Sequence, residues 1–245
     1  MEKLISHPIS IVYYLFFGLT LVIFHPIQWI CFNLFGYQAH KVSVDTLQFC
    51  LMRCANILGT RFSFYNSHKI PKNVPLIIVA NHQSLYDISP IMWFLRKHHT
   101  KFISKIELGK GIPSVSYNLR HGGSVLIDRK NPRQSLPAIM KFGEYIENTK
   151  RAAVIFPEGT RSKTGIPKPF QTKGLEILFK KVPSAIIVPI SINNSWKMQR
   201  YGAFPMGLGT HIKFTVHEPL KLANFANKQE LIQQVEDTIK AQIQP

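Results

Sequence analysis

A long stretch without charged side chains near the N-terminus constrains this chain more than any other feature. No Asp, Glu, Lys or Arg occurs from Leu4 to His40, and residues 9–24 are almost wholly apolar and aromatic. A run of this length normally needs lipid. A secretory signal peptide is a poor interpretation, because the run exceeds a usual h-region and no small-residue cleavage site follows. We therefore expect residues 1–40 to form a membrane anchor that stays on the chain.

The length of the run leaves two membrane geometries open. Residues 9–24 would span ~24 Å as a helix, less than the ~30 Å hydrocarbon core, and Pro26 then interrupts the pattern. One geometry is a long Pro-kinked span through Phe35. The other, which we favour, is a pair of helices that dips into one leaflet and returns. A buried hairpin in a soluble domain is the third alternative. Aromatic side chains that suit the membrane interface are Tyr13, Tyr14, Trp29 and Tyr37.

The charge balance points to an acidic partner. The chain has 30 Lys and Arg against 13 Asp and Glu, a formal net charge of +17. Nucleic acid, an anionic membrane surface and phosphorylated substrates would all suit this charge. No recognisable nucleic-acid-binding motif occurs, and the apolar N-terminus argues against that class. We therefore expect an anionic membrane surface as a partner, and no nucleic acid.

The distribution of basic residues predicts which side of the membrane the rest of the chain occupies. Lys3 is the only basic residue before the apolar run, whereas Lys41, Arg53 and Arg61 follow it. The positive-inside rule then places the following domain on the cytoplasmic side, at the inner membrane if the source is bacterial. The three cysteines form no disulfide-like framework, which agrees with a reducing compartment.

Residues 41–245 have the pattern of a single α/β domain. Short apolar runs predict buried strands, helical stretches lie between them, and residues 212–216 alternate as in a half-exposed edge strand. We expect a largely parallel central sheet flanked by helices, preceded by the membrane-embedded two-helix segment. The buried strands are predicted at 76–80, 124–127, 153–156 and 185–190. The helices are predicted at 44–58, 89–97, 135–148, 173–181 and 231–239.

The chemistry-bearing residues begin directly after the first buried strand, in Asn81-His82-Gln83-Ser84-Leu85-Tyr86-Asp87. Ligands of open α/β sheets gather at the carboxyl ends of strands, which is where this segment lies. His82 and Asp87 can meet if the first is in the turn and the second in the start of a helix. The carboxylate would then fix the tautomer of a histidine base. A core histidine beside a helix-start carboxylate is the alternative.

Two further turns follow strands and carry arginines. Residues 157–162 read Pro-Glu-Gly-Thr-Arg-Ser, and residues 123–129 end in Asp-Arg. Gly159 permits a tight turn, and the planar guanidinium groups of Arg161 and Arg129 can each form paired hydrogen bonds with a phosphate. No Gly-x-Ser-x-Gly elbow or catalytic cysteine is evident, so the nucleophile is expected to be a hydroxyl of the substrate. Direct acyl transfer follows from this reading.

Four ordered blocks resemble the glycerolipid acyltransferase family, and the lysophosphatidate acyltransferases within it. The blocks are NHQSLYD, GGSVLIDR, FPEGTRS and Val188-Pro189-Ile190, and they cover residues 81–190. The second block departs from the family by placing Leu126 where an aromatic residue is common. The resemblance implies transfer of an acyl group from acyl-carrier protein or acyl coenzyme A to the sn-2 hydroxyl of lysophosphatidate, giving phosphatidic acid.

The resemblance also implies a role for each site residue. His82 would deprotonate the acceptor hydroxyl, and Asp87 would orient His82. The third block, with Thr160, is the form typical of enzymes that acylate an already acylated glycerol phosphate. The residues expected to hold the acceptor are Arg129, Glu158, Gly159, Thr160 and Arg161. Lys105 either adds to this site or is a solvated surface lysine, and Val188-Pro189-Ile190 would line the acyl channel. We expect no cofactor and no metal site.

Several alternatives remain open. The acceptor could be another lysolipid or glycerol 3-phosphate, and the same His–Asp pair could activate water and make the protein a hydrolase. A non-catalytic lipid-binding membrane protein would also use a basic crevice. Residues 96–133 contain nine Lys or Arg and only two acidic residues. This basic patch either docks on the membrane or on an acidic acyl carrier, or is a solvated surface without a partner.

Overall fold

The central sheet is built from the short apolar runs of the sequence. The computed structural model describes residues 2–244, and its sheet has the order β1-β7-β6-β2-β5-β3-β4, with β8 pairing with β6. The strands are β1 (Arg61–Tyr65), β2 (Leu76–Ala80), β3 (Thr100–Lys105), β4 (Val125–Ile127), β5 (Ala152–Ile155), β6 (Ile186–Asn193), β7 (His211–Val216) and β8 (Leu220–Lys221). All pairings are parallel except those of β6 with β7 and β8. The expected largely parallel α/β fold is confirmed.

Helices cover both faces of this sheet. They are α1 (Glu2–Ala55), α2 (Ile88–Phe94), α3 (Val115–His121), α4 (Pro132–Thr149), α5 (Lys173–Lys181) and α6 (Lys228–Ala241). Strand β2 is buried throughout because its side chains alternate between two cores. Ile78 packs with residues of α1 and α2, whereas Ile77 and Val79 pack with residues of α4, α5 and α6.

One strand lies in a different place from the prediction. Residues 211–216 alternate between half-buried and buried side chains as expected, but β7 lies between β1 and β6 and is not an edge strand. The prediction that residues 212–216 form an edge strand is wrong because strand β1 pairs with β7 from Arg61 to Tyr65. The sequence pattern did not predict β1. The alternation of β7 therefore reflects two faces of different burial and not a free edge.

Helix α1 turns back on itself at Gly36. The backbone there has φ 76° and ψ −166°, which a glycine adopts without a steric penalty. Thr20 Oγ1 lies 3.5 Å from Cys54 Sγ, and the rings of Phe32 and His40 are 5.4 Å apart. On an unbroken helix Thr20 and Cys54 would be roughly 50 Å apart at ~1.5 Å per residue. Residues 2–55 thus form a helical hairpin.

The expected interruption at Pro26 is wrong, because the helix continues through that residue and breaks at Gly36 instead. Together with the turn that follows it, α1 is the one helix among residues 2–244 that is long and apolar enough to cross a membrane, with a mean hydropathy of 1.8 in its most apolar window. Only 11% of that window is buried. The hairpin still contacts the α/β part, since Tyr13 is fully buried and its ring is 6.3 Å from that of Tyr86.

Candidate active site

The three turns predicted to carry chemistry meet at the carboxyl ends of β2, β5 and β4. Backbone and side-chain hydrogen bonds join them directly. The Ser162 amide donates to the carbonyl of His82 over 2.7 Å, and the Arg129 guanidinium donates to the carbonyl of Gly159. The parallel register of β2 with β5 brings the first two turns together, and β3 links β4 to β5. The convergence expected from the strand ends is therefore present in the structure.

His82 and Asp87 are hydrogen bonded, with His82 Nδ1 and Asp87 Oδ2 2.8 Å apart. The same carboxylate oxygen accepts the backbone amides of Gln83 at 2.8 Å and Ser84 at 3.0 Å. Ser84 caps the 3-10 turn Leu85–Asp87, and its hydroxyl accepts from the amide of Tyr86. The local sequence thus folds into a loop closed by the carboxylate, which brings two residues five positions apart into contact.

The second oxygen of Asp87 is bound by a residue that the sequence reading did not identify. Ser195 Oγ donates to Asp87 Oδ1 over 2.5 Å, and the Ser195 amide donates to the side-chain oxygen of Gln83 over 3.0 Å. Ser195 is fully buried and begins a 3-10 turn just after β6. It is 108 residues from Asp87 in sequence, so no local pattern could reveal the contact. Four donors therefore surround a carboxylate that is itself fully buried.

The environment of the imidazole leaves one nitrogen available. Nδ1 of His82 faces the carboxylate, so in the neutral ring Nδ1 carries the proton and Nε2 keeps its lone pair. Phe156 stacks on the ring, with centroids 4.1 Å apart and planes 16° apart. The side chain of His82 is 16% exposed, whereas that of Asp87 is not exposed. A base with this tautomer can accept a proton at Nε2 from a substrate hydroxyl.

Glu158 points into the protein and braces the loop of His82. Its Oε1 accepts the His82 amide over 2.7 Å, and its Oε2 accepts the Lys168 amide over 2.8 Å. Only 2% of the residue is exposed. Burial raises the pKa of the Glu158 carboxyl above its usual range, and the two backbone donors act in the opposite direction. The carboxylate therefore fixes the position of His82 relative to the third block.

The other residues expected at the site lie around its rim. Arg129, Thr160 and Arg161 are exposed, and Gly159 has the left-handed φ of 70° that its tight turn requires. Lys168, which the sequence reading did not include, donates from Nζ to Thr160 Oγ1 over 2.7 Å. Lys105 is exposed at the end of β3, paired in register with Ile127 at the end of β4. Exposed cations thus border the turn that carries the base.

The fourth block is at a different depth. Val188 and Ile190 are fully buried in β6 and pack beside β2 in the core under α1 and α2. The expectation that this block lines a channel is wrong for these two side chains, because they fill the core.

A family model described as Acyltransferase matches residues 61–193, a span that contains all three turns. The chain belongs to the acyltransferase family. The resemblance drawn from the ordered blocks is thereby confirmed. In this acyltransferase the matched span runs from β1 to the end of β6, so that Ser195 and the hairpin lie outside it.

Curated proteins and a solved structure resemble this acyltransferase. A 1-acyl-sn-glycerol-3-phosphate acyltransferase of Helicobacter pylori is 36% identical over 136 residues, which cover 52% of this chain and 54% of the relative. One from Cocos nucifera is 28% identical over 166 residues, covering 67% and 49%. The chain spans about half the length of these curated relatives.

The solved structure covers nearly all of the chain. It is the crystal structure of the 1-acyl-sn-glycerophosphate (LPA) acyltransferase PlsC from Thermotoga maritima, which matches with a TM-score of 0.78 at 25% identity. The match covers 98% of this acyltransferase and 95% of that chain. The fold similarity therefore includes the N-terminal hairpin as well as the sheet.

Proposed function

We propose that this acyltransferase moves a fatty acyl group from a thioester to the sn-2 hydroxyl of 1-acylglycerol 3-phosphate, giving phosphatidic acid for phospholipid synthesis. The observation that carries the proposal is the His82–Asp87 pair, 2.8 Å apart, with Nε2 of the histidine left free beside a rim of cations. The relatives named above, which are called 1-acyl-sn-glycerol-3-phosphate acyltransferases, support the same substrate class.

The proposed reaction needs no nucleophile from the protein. His82 Nε2 takes the proton of the acceptor hydroxyl as the hydroxyl oxygen attacks the thioester carbonyl carbon. A new C–O bond forms, the C–S bond breaks, and the proton passes from His82 to the leaving thiolate. The Asp87 carboxylate stabilises the imidazolium that exists between these two proton transfers, since Oδ2 contacts the opposite ring nitrogen.

The acceptor phosphate is proposed to lie against the exposed turn of the third block. Arg161, Arg129 and the hydroxyl of Thr160 are available there, with Gly159 allowing close approach of the backbone. Lys168 adds a fifth group through its contact with Thr160, and Lys105 remains a candidate on the neighbouring strand end.

We propose a different role for Glu158 than for the phosphate-binding groups. A carboxylate with both oxygens on backbone amides cannot also donate to a phosphate. We assign it to positioning His82.

The hairpin is proposed to bring the site to its lipid substrates. A helix pair that turns at Gly36 fits insertion into one leaflet, with exposed apolar side chains such as Ile11, Leu15 and Leu34 in contact with lipid. The proposed membrane anchor is residues 1–40, which contain the first arm of the hairpin and its turn. The proposed acyltransferase domain is residues 41–245 on the cytoplasmic side, and it includes most of the second arm. Acyl-carrier protein and acyl coenzyme A are both retained as donors.

One assay separates the proposed function from its alternatives. The full chain in detergent receives labelled acyl thioester, in either donor form, with lysophosphatidate, with monoacylglycerol, or with no acceptor. We expect labelled phosphatidic acid with lysophosphatidate alone. Equal turnover of monoacylglycerol would remove the role of the phosphate, and free fatty acid without acceptor would indicate a hydrolase.

The His82→Gln variant tests the base in the same assay, with His68→Gln as the matched control. His68 lies in the loop after β1, three strands from β2 in the sheet order, and takes no part in the hydrogen bonds that hold His82 and Asp87. Removal of a general base typically costs 10²–10⁴-fold in rate. We expect His82→Gln to lose turnover and retain lysophosphatidate binding, while His68→Gln behaves as the parent. Unchanged turnover in His82→Gln would exclude the proposed mechanism.

A further inference from the structure

A second group of charged side chains lies at the edge of the sheet opposite the active site. Lys101 is the second residue of β3, and Arg151 directly precedes β5, so both mark the amino ends of parallel strands. A small cavity there lies between the second arm of the hairpin, α2 and β3. Its charged lining consists of Lys41, Asp45, Arg96 and Lys101, and the histidines His40 and His99 also line it.

Positive charge at this cavity exceeds the negative charge available to balance it. Lys41 forms an ion pair with Asp45, the one carboxylate in the lining. Among residues 2–244, no carboxylate pairs with Arg96, Lys101 or Arg151. Lys101 is only 6% exposed, and its ammonium lies over the ring of Tyr37, 5.1 Å from the centroid. No carboxylate of the described chain neutralises the charge of Lys101, so an anion at the mouth of the cavity would supply that negative charge.

The surroundings of the cavity disfavour the protonated forms of Lys101 and His99. Burial, followed by the charges of Arg151 and Lys41, lowers the pKa of Lys101 to about 7. Asp45 acts in the opposite direction on the same amine. Burial and the neighbouring cations also lower the pKa of His99 to about 4. An anion in the cavity would reverse these effects by favouring the charged form of Lys101.

The cavity adjoins exposed apolar residues at the tip of the hairpin. Tyr37 is the residue after the turn. The Arg151 guanidinium lies over its ring, 4.0 Å from the centroid, and the Lys101 ammonium lies 5.1 Å from the same centroid. The Tyr37 hydroxyl lies 2.9 Å from His99 Nδ1. The two residues before the turn, Leu34 and Phe35, are 68% and 70% exposed. Cationic and lipid-facing surfaces therefore touch at the tip of the hairpin.

We propose that this cavity is a headgroup site for an anionic membrane phospholipid, separate from the active site. Its free volume of about 10 Å³ holds one atom the size of a water, so one phosphate oxygen enters while the rest of the phosphate stays at the mouth. Lys101 and Arg96 donate to that oxygen. The acyl chains run along Leu34 and Phe35, which anchors the hairpin tip at the depth of the headgroups.

The test is lipid binding by the full chain and does not depend on turnover. The unfolding temperature is followed in uncharged detergent during titration with phosphatidylglycerol, with phosphatidylcholine or with inorganic phosphate. The Lys101→Met variant removes the buried charge and keeps the volume, and Lys97→Met is the control because it removes an exposed charge from the neighbouring 3-10 turn. Arg96→Gln provides a second, independent variant if Lys101→Met fails to fold.

We expect phosphatidylglycerol to raise the unfolding temperature of the parent and of Lys97→Met with the same saturable dependence. Lys101→Met and Arg96→Gln should each bind it about tenfold more weakly, since a buried ion pair loses one partner. Equal affinity of Lys101→Met and Lys97→Met would overturn the site. A shift produced as fully by inorganic phosphate would overturn the assignment to a lipid headgroup and leave a free-phosphate site.

Discussion

Replacing Asp87 with Asn removes the negative charge beside His82 and keeps an oxygen where three donors converge. His82 Nδ1 and the amides of Gln83 and Ser84 all point at Oδ2, so the amide oxygen of Asn takes that position. Its NH₂ group then faces Ser195, whose hydroxyl can rotate from donor to acceptor. The histidine tautomer is retained, and the substitution isolates the contribution of charge.

The size of that contribution follows from the separation of the two groups. With Asp87 Oδ2 2.8 Å from Nδ1, the charge centres of carboxylate and imidazolium are roughly 4 Å apart, which gives about 4 kcal/mol at an effective dielectric constant of ~20. This energy acts on the protonated histidine of the transition state and only weakly on the neutral ground state. We therefore expect Asp87→Asn to lower kcat by about 10²–10³-fold, with little change in KM for the acceptor.

The assay is steady-state formation of phosphatidic acid at saturating donor, with Asp87→Ala as the comparison. Asp87→Ala strands four hydrogen-bond donors, so it should also lower the unfolding temperature, whereas Asp87→Asn should leave it nearly unchanged. A loss of less than tenfold in kcat for Asp87→Asn would refute the charge argument. A loss near 10⁴-fold would instead show that the NH₂ group faces His82 and reverses the tautomer.

Three further outcomes follow from the same contacts. Ser195→Ala removes one hydrogen-bond donor from the Asp87 carboxylate, so the carboxylate should stabilise the protonated form of His82 more strongly. The acid limb of the kcat pH profile should then move to higher pH by up to about one unit, which a purely structural role of Ser195 would not produce. In Glu158→Gln the side-chain NH₂ group faces the backbone N–H of His82 or of Lys168, so two donors oppose each other. The substitution should lower the unfolding temperature by about 2–8 °C, from about 1–2 kcal/mol in a chain of this size. Burial lowers the pKa of Lys101 in the folded chain to about 7, below the usual lysine value of 10.5, so the unfolded chain binds more protons between these values. In lipid-free detergent, the free energy of unfolding of the parent minus that of Lys101→Met should therefore rise from pH 7 to pH 10. A difference that does not change with pH would contradict the burial of this amine.

The sequence was sufficient for the parts of the fold that rest on local periodicity. Strands such as β2 and helices such as α5 appear within a residue of their predicted bounds, because buried apolar runs and helical spacing are local signals. Strand β3 was missed because lysines at positions 101 and 105 interrupt its apolar pattern, although Lys101 is buried. The turn at Gly36 was missed because aromatic residues, Phe35 and Tyr37, directly flank that glycine, whereas the proline at position 26 was the stronger but misleading signal.

The candidate site was predictable to the same extent and for the same reason. His82 and Asp87 lie within one local block, and the strand ends indicate that Arg129 and Arg161 are near them. Ser195 belongs to a separate turn, and its hydrogen bond with Asp87 depends on the pairing of β2 with β6. Contacts of this kind arise from the three-dimensional register of the sheet, and no spacing in the chain encodes them.

Both backbone groups of His82 are bound by the third block, its amide by Glu158 and its carbonyl by the amide of Ser162. The two segments are therefore one unit for protein engineering, although about seventy residues separate them. A chimera that imports residues 81–87 from a relative would inherit a loop fitted to another partner, and we expect it to work only when residues 157–162 are exchanged with it. Across homologues, amino-acid substitutions in one segment should likewise be constrained by the sequence of the other segment.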